Sequence, residues 1–206
     1  MNEENCNQFV ENLKVERLVK EDGKMPESTW CCHLNEYNLP MADFVISPKK
    51  CQNWEEVSDF IERHIADYPF VKTCQFSPKD CASPPVFKTT TEAIAALKQS
   101  TRCHLDRHII MKKVRNYSTQ SRIYWAGGKA RVACGNMEHK YVEEFLQKHK
   151  YDIPFHYCCV ELGRESTTTE LIEFNTFGTL CDPAPLEWSQ DWHNIFYAKD
   201  IVWCDV

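Results

Sequence analysis

The stretch "QSRIYWAGGKARVACG", residues 120–135, does most to limit the fold. Two β-prone runs flank Gly127-Gly128, a pair that adopts positive φ without steric cost, so the spacing predicts a tight hairpin. Such a turn joins only antiparallel neighbours. A second pair of runs, "FHYCCVELG" (155–163) and "TELIEFNTF" (169–177), repeats the arrangement around a loop at Arg164–Thr168.

Helices stand between these hairpins and before them. In "NWEEVSDFIERHIADYP", Asn53 caps and Glu56 reaches back in a capping box, and Trp54, Val57, Phe60, Ile61 and Ile65 recur at helical spacing. "TTTEAIAALKQS" repeats the box at Thr89 and Glu92, with Ile94, Leu97 and Lys98 continuing the helix. "MEHKYVEEFLQKHK" is amphipathic, with Tyr141, Val142, Phe145 and Leu146 on its inner side. "PFVKT" (69–73) and "RHIIMKKV" (107–114) read as strands, and "NLPMADFVISPKK" as loop with a strand. The polar opening reads as a helix or an arm, and the aromatic tail "LEWSQDWHNIFYAKDIVWCDV" as a segment that docks. Helices interspersed with hairpins argue an α+β fold with mainly antiparallel sheets, in two lobes around a cleft.

Charge and cysteine usage exclude several functions. A net charge of -6 argues against a general nucleic-acid grip. No apolar run approaches a bilayer span, and the acidic N-terminus does not read as a secretory signal, which leaves a cytosolic or nuclear address. The twelve cysteines contain no C-x-x-C pair, so zinc knuckles and thioredoxin-type sites are not expected. Most flank apolar residues, where a free thiol behaves as a small hydrophobe. His104 and His108 are spaced i, i+4 but stand at a loop-to-strand junction where helical spacing need not apply. Cys31-Cys32-His33 and Cys158-Cys159 would need distant partners to bind metal, and Trp125, Trp188 and Trp192 read as packing residues.

The strand "TELIEFN" carries polar groups in an otherwise core-like run. Residues two apart in a strand share a face, so Glu173 and Asn175 project together. A hairpin turning near Thr167 puts Glu161 opposite Glu173 on that face. Two carboxylates and an amide oxygen suit magnesium, which takes oxygen ligands along with substrate phosphates. The bland alternative is a solvent-facing strand side, because E-x-N is a short and common string. Lys72, Lys112, Lys113 and Arg122 stand in β-prone segments. Singly, each reads as a surface side chain; together, upstream of the carboxylates, they match what a triphosphate requires.

In the order and spacing of "YPFVKTCQFSPKD", "TTEAIAALKQSTR", "HIIMKKVRNYSTQSRIYWAGGKARVACG" and "LIEFNTFGTLCDPAPLEW", the sequence resembles the cell division cycle protein 123 family, a branch of the ATP-grasp superfamily. The resemblance implies an ATP-grasp-like fold: an arm and the start of the first lobe over 1–50, a small lobe over 51–105, and a large lobe with the metal-binding strands over 106–206. It implies ATP and magnesium as cofactors. Lys72 and Arg122 would contact the phosphates, and the loop Ser77–Asp80 would close near them through Ser77 and Lys79. Met111, Lys112, Lys113 and Val114 would form the hinge against adenine, with backbone groups reading the base. Glu173 and Asn175 would ligate magnesium, with Glu161 the carboxylate of the preceding strand. Thr176 departs from the family's proline, and the family's N-terminal portion and acidic C-terminal extension look shortened. The family's role implies a cytoplasmic assembly factor for translation initiation factor 2 that grips its gamma subunit. The wider superfamily implies the alternative, a ligase that joins a carboxylate to an amine or thiol through an acyl phosphate. A domain that kept the fold and lost the nucleotide is the third reading.

Overall fold

The computed structural model of the chain describes residues 39–74, 76–153, 157–175, 186 and 188–205. These divide into two compact units, residues 42–116 and residues 39–41 with 117–205, each built on its own sheet. The N-terminal arm, with Cys31, Cys32 and His33, lies outside the described residues, as do Thr176, Cys181 and Asp182.

In the first unit the chain runs through β1 (Phe44–Ile46), α1 (Trp54–His64), β2 (Phe70–Thr73), α2 (Thr90–Gln99) and β3 (Ile109–Lys112). α1 starts where Asn53 Oδ1 accepts the Glu56 N–H at 2.9 Å. The reciprocal half of the expected capping box is not made. Glu56 accepts instead from the Gln52 N–H at 2.8 Å and from the Lys49 ammonium at 2.7 Å, because a charged donor in reach competes well for a carboxylate. α2 carries both halves of its box at Thr89 and Glu92. The sheet order is β1-β3-β2, antiparallel throughout. Val71, Ile109 and Met111 alternate onto the face where Val57, Phe60, Ile61, Ala93 and Leu97 of the two helices pack. That cluster is the core of the unit.

The second unit holds β4 (Thr119–Ala126), β5 (Ala130–Gly135), α3 (His139–His149), β6 (Tyr157–Glu165), β7 (Thr168–Asn175), α4 (Trp188–Tyr197) and β8 (Val202–Asp205). Gly127 and Gly128 take φ of 63° and 74°, as the hairpin requires. The sheet order is β7-β6-β4-β5-β8, antiparallel except where β8 runs parallel to β5. The tail therefore docks as a helix and a strand, and α4 buries Ile195 and Phe196 against Tyr124, Val132 and Cys159. Arg164 on β6 stacks its guanidinium 3.5 Å above the ring of Tyr141 on α3. Among the described residues every cysteine is a free thiol and most are buried, as small hydrophobes would be. No helix of the described residues is long and apolar enough to cross a membrane.

One irregularity sets the site. Glu161 faces Glu173, yet Leu162 faces Leu171, so β7 carries an extra residue at this point. Glu170, three positions before Glu173, consequently pairs with Gly163 and comes out on the same side as Glu161.

Gly135 stands at φ 145°, and a Cβ there would fall on the carbonyl oxygen of Gln120 in the paired strand. Gly135→Ala therefore destabilises the second unit by more than about 1 kcal/mol. Chemical denaturation followed by circular dichroism checks this; an unchanged midpoint contradicts the strained geometry.

Candidate functional site

Register builds a row of polar side chains across the larger sheet. Arg122 on β4 is flanked by Cys134 on β5 and by Glu161 on β6, and Glu161 in turn faces Glu173 on β7. Directly paired residues share a face, so the pairing of Glu161 with Glu173 expected from the hairpin is the one observed. Arg122 donates through Nε at 3.0 Å and Nη2 at 2.7 Å, both to Glu161 Oε1. The two side chains are 28% and 19% exposed, which screens them less than a surface pair. Asn175 lies on the Glu173 side, and its Nδ2 donates to Glu173 Oε1 at 3.4 Å. Two facing carboxylates repel unless positive charge compensates them, and Arg122 brings such charge to Glu161.

The donor set fits magnesium. All the groups are hard oxygen donors of the kind that ion takes. Arg122 approaches Glu161 through Oε1 in both of these bonds. The Asn175 amide turns its nitrogen to Glu173, so its oxygen points elsewhere. Among the described residues no group of three or more His, Cys, Asp or Glu side chains is arranged to hold a metal alone. Such a set suits an ion that completes its shell with phosphate and water, rather than a self-contained structural ion.

The first unit carries the other expected residues. Val71 and Met111 face the helices, so Lys72 and Lys112 lie on the opposite face of the β1-β3-β2 sheet. Lys72 pairs with Ile110 and Lys112 with Phe70, which makes the two lysines diagonal neighbours. They are only 4% and 8% exposed. A buried ammonium needs acceptors or opposite charge, and both lysines have polar or electrostatic partners within the protein. Met111 is wholly buried in the core cluster, and its backbone sits within the ladder to Val45 and Val71. Lys113 is exposed; its N–H donates to the Asp43 carbonyl at 2.9 Å and its ammonium meets the Asp43 carboxylate at 2.6 Å. Val114 is exposed beyond it.

Ser77 is buried and Lys79 exposed on the loop after β2. The loop is fixed at both ends. Thr73 Oγ1 donates to the Phe76 carbonyl at 2.9 Å, while Asp80 accepts from Ser100 Oγ at 2.6 Å and from the Thr101 N–H at 2.8 Å. His108 Nδ1 lies 2.8 Å from the Ser47 carbonyl, a structural contact rather than a metal site.

Sequence reasoning missed Glu170, which the bulge brings to the Glu161 face, and Tyr117, whose hydroxyl donates to Glu170 at 2.9 Å. The available signal was Gly163, because a glycine inside a strand often marks the close approach of another group.

Comparison with solved structures places this architecture. The chain superimposes on Cdc123 from Schizosaccharomyces pombe with a TM-score of 0.60, at 14% identity, covering 80% of this chain and 90% of that one. A C-terminally truncated form of the same yeast protein gives a TM-score of 0.64 at 13% identity, covering 86% and 96%. The chain has a Cdc123-like fold of mixed helix and sheet. No protein-family model matches it, and no curated protein sequence does either. The likeness to Cdc123 is thus one of architecture, with identity low enough that the residues must be weighed on their own chemistry.

Within this Cdc123-like fold the Asp80 clasp is pH-sensitive. Hydrogen bonds from Ser100 and then Thr101 hold the Asp80 carboxyl below its ordinary value of 3.8. A depressed folded-state value means that the clasp is fully present above pH 3.8 and is lost as pH falls through the lowered value. The Thr101 amide resonance should shift upfield only below that window, and Asp80→Asn should remove the transition. A Thr101 amide that titrates identically in Asp80→Asn contradicts the clasp.

Proposed function

We propose that the chain binds ATP together with magnesium, and that it serves in the cytoplasm as an assembly chaperone for translation initiation factor 2, gripping its gamma subunit. The observation that carries the nucleotide reading is the row Arg122–Glu161–Glu173, with Asn175 beside it, on the sheet of a Cdc123-like fold. Glu161, Glu173 and Asn175 hold the ion through oxygen. When bound, magnesium supplies positive charge between phosphate oxygens that would otherwise repel the carboxylates. Arg122 keeps Glu161 compensated when no ion is present and offers a cation to phosphate when one is.

The remaining roles belong to the first unit. Lys72 gives charge to the phosphates, Lys112 belongs with Met111 to the hinge strand, and Ser77 and Lys79 act from the loop that Thr73 and Asp80 brace. The backbone beyond the β3 ladder, at Lys113 and Val114, meets the adenine edge. The chaperone role rests on the family resemblance, and it needs binding of the nucleotide more than its turnover.

The test separates these parts. Glu173→Ala and Asn175→Ala should weaken ATP binding by about tenfold or more with magnesium and leave it unchanged in chelator, read by isothermal titration. Equal loss in both conditions shows that these groups do not hold the metal. Lys72→Ala and Arg122→Ala should lower the affinity for ATP far more than that for adenosine. A pull-down from cytosol that recovers no initiation factor subunit removes the chaperone role, and ADP release only with an acid–amine pair points to the ligase instead.

A further inference from the structure

The search for functional groups outside this set leads to the polar cluster at the far end of the same sheet face. Gly163 on β6 is two residues from Glu161 and pairs with Glu170 on β7. A Cβ at Gly163 would meet the Tyr117 ring at 2.5 Å, so the aromatic ring lies flat on the strand where the side chain is missing. From there the Tyr117 hydroxyl reaches Glu170 Oε1 at 2.9 Å. Glu170 is 6% exposed, an unusual degree of burial for a carboxylate, and a charged acceptor of this kind makes the stronger class of hydrogen bond.

The place of the clasp gives it a consequence. The extra residue of β7 falls between Glu170 and Glu173, at the register shift. A bulge is a local choice of register, and beside it the Leu171 N–H bond to the Pro40 carbonyl and the Met41 bridge hold the backbone from one edge. In the regular pairing Glu170 would turn to the opposite face, away from Tyr117. The buried bond to Tyr117 adds the side-chain hold that favours the bulged register, and that register determines where Glu173 and Asn175 stand relative to Glu161.

We propose that Glu170, Tyr117 and Gly163 form a positioning clasp for the metal strand: the buried Tyr117–Glu170 hydrogen bond, seated on Gly163, fixes the β7 bulge and so aligns Glu173 and Asn175 with Glu161. Glu170 is a positioning residue, since it acts through Glu173 and touches neither metal nor nucleotide itself. The proposal rests on the magnesium–nucleotide reading above.

The experiment compares the full chain with Tyr117→Phe and Glu170→Met, which remove the donor and the acceptor in turn while nearly keeping side-chain volume. For each, ATP affinity is titrated against magnesium concentration, and separately in chelator. The clasp predicts that the magnesium concentration for half-maximal effect rises about tenfold in either variant, while chelator affinity and the circular-dichroism spectrum stay as in the parent. It predicts also that the double variant is no worse than the singles, because one bond is being removed. Should either variant fail to fold, manganese binding without nucleotide in the other, read by electron paramagnetic resonance, carries the same comparison. Unchanged magnesium dependence in folded variants overturns the clasp and leaves the nucleotide reading standing. A parent protein with no magnesium-dependent affinity overturns that reading, and the clasp with it.

Discussion

Two carboxylates placed directly opposite each other on adjacent antiparallel strands, Glu161 and Glu173, are the constraint around which the larger unit is arranged. Like charges in that relation destabilise a sheet. The fold keeps them and puts the fork of Arg122 on the other flank of Glu161, half-buried, where the charge pairing is less screened than at the surface. A protein shaped only for stability would do better with an apolar pair at this register, since even a well-made buried ion pair is seldom worth more than good packing. Retaining two acids and an arginine in one row is understandable if a further cation joins them.

The first unit shows the complementary choice. Its sheet uses one face for the helices, filled by Val71, Ile109 and Met111, and places Lys72 and Lys112 diagonally on the other. Burial to 4% and 8% exposure strips much of the water from both ammonium groups. Partly desolvated cations interact with anions more strongly than surface lysines do, because the local dielectric is lower.

Much of this was legible in the sequence because it depends on local chemistry. The Gly127-Gly128 turn, the Thr89 cap and the spacing of Val57, Phe60 and Ile61 each fix structure within a few residues, and period-2 alternation carries Glu173 and Asn175 to one side. The strand β8 was not legible: four residues pairing in parallel with β5 depend on a partner about seventy positions away, a choice made by packing rather than propensity. The shift of Glu170 was hidden for the same reason. A bulge reverses the parity of everything before it, and only the pairing with Gly163 reveals it. In α1, Asn53 capped as its position predicts, but Glu56 turned to Gln52 and Lys49 because the competing lysine lies outside the four-residue motif.

The connecting segments show how the strand with the most chemistry is held. The described chain passes between units after Met41 and after Asn116. On one side of these crossings, Asp43 and Lys113 are tied by an N–H bond of 2.9 Å and an exposed ion pair of 2.6 Å, and exposed ion pairs contribute little. On the other side, the Leu171 N–H donates to the Pro40 carbonyl at 2.7 Å, Met41 bridges to Leu171, and Tyr117 donates to buried Glu170. Leu171 is 1% exposed, so water competes poorly for its anchor, which is correspondingly hard to release. Both connectors are thus fastened to consecutive residues of β7, two and three positions before Glu173. The firm end of each is the strand that bears the candidate metal ligands.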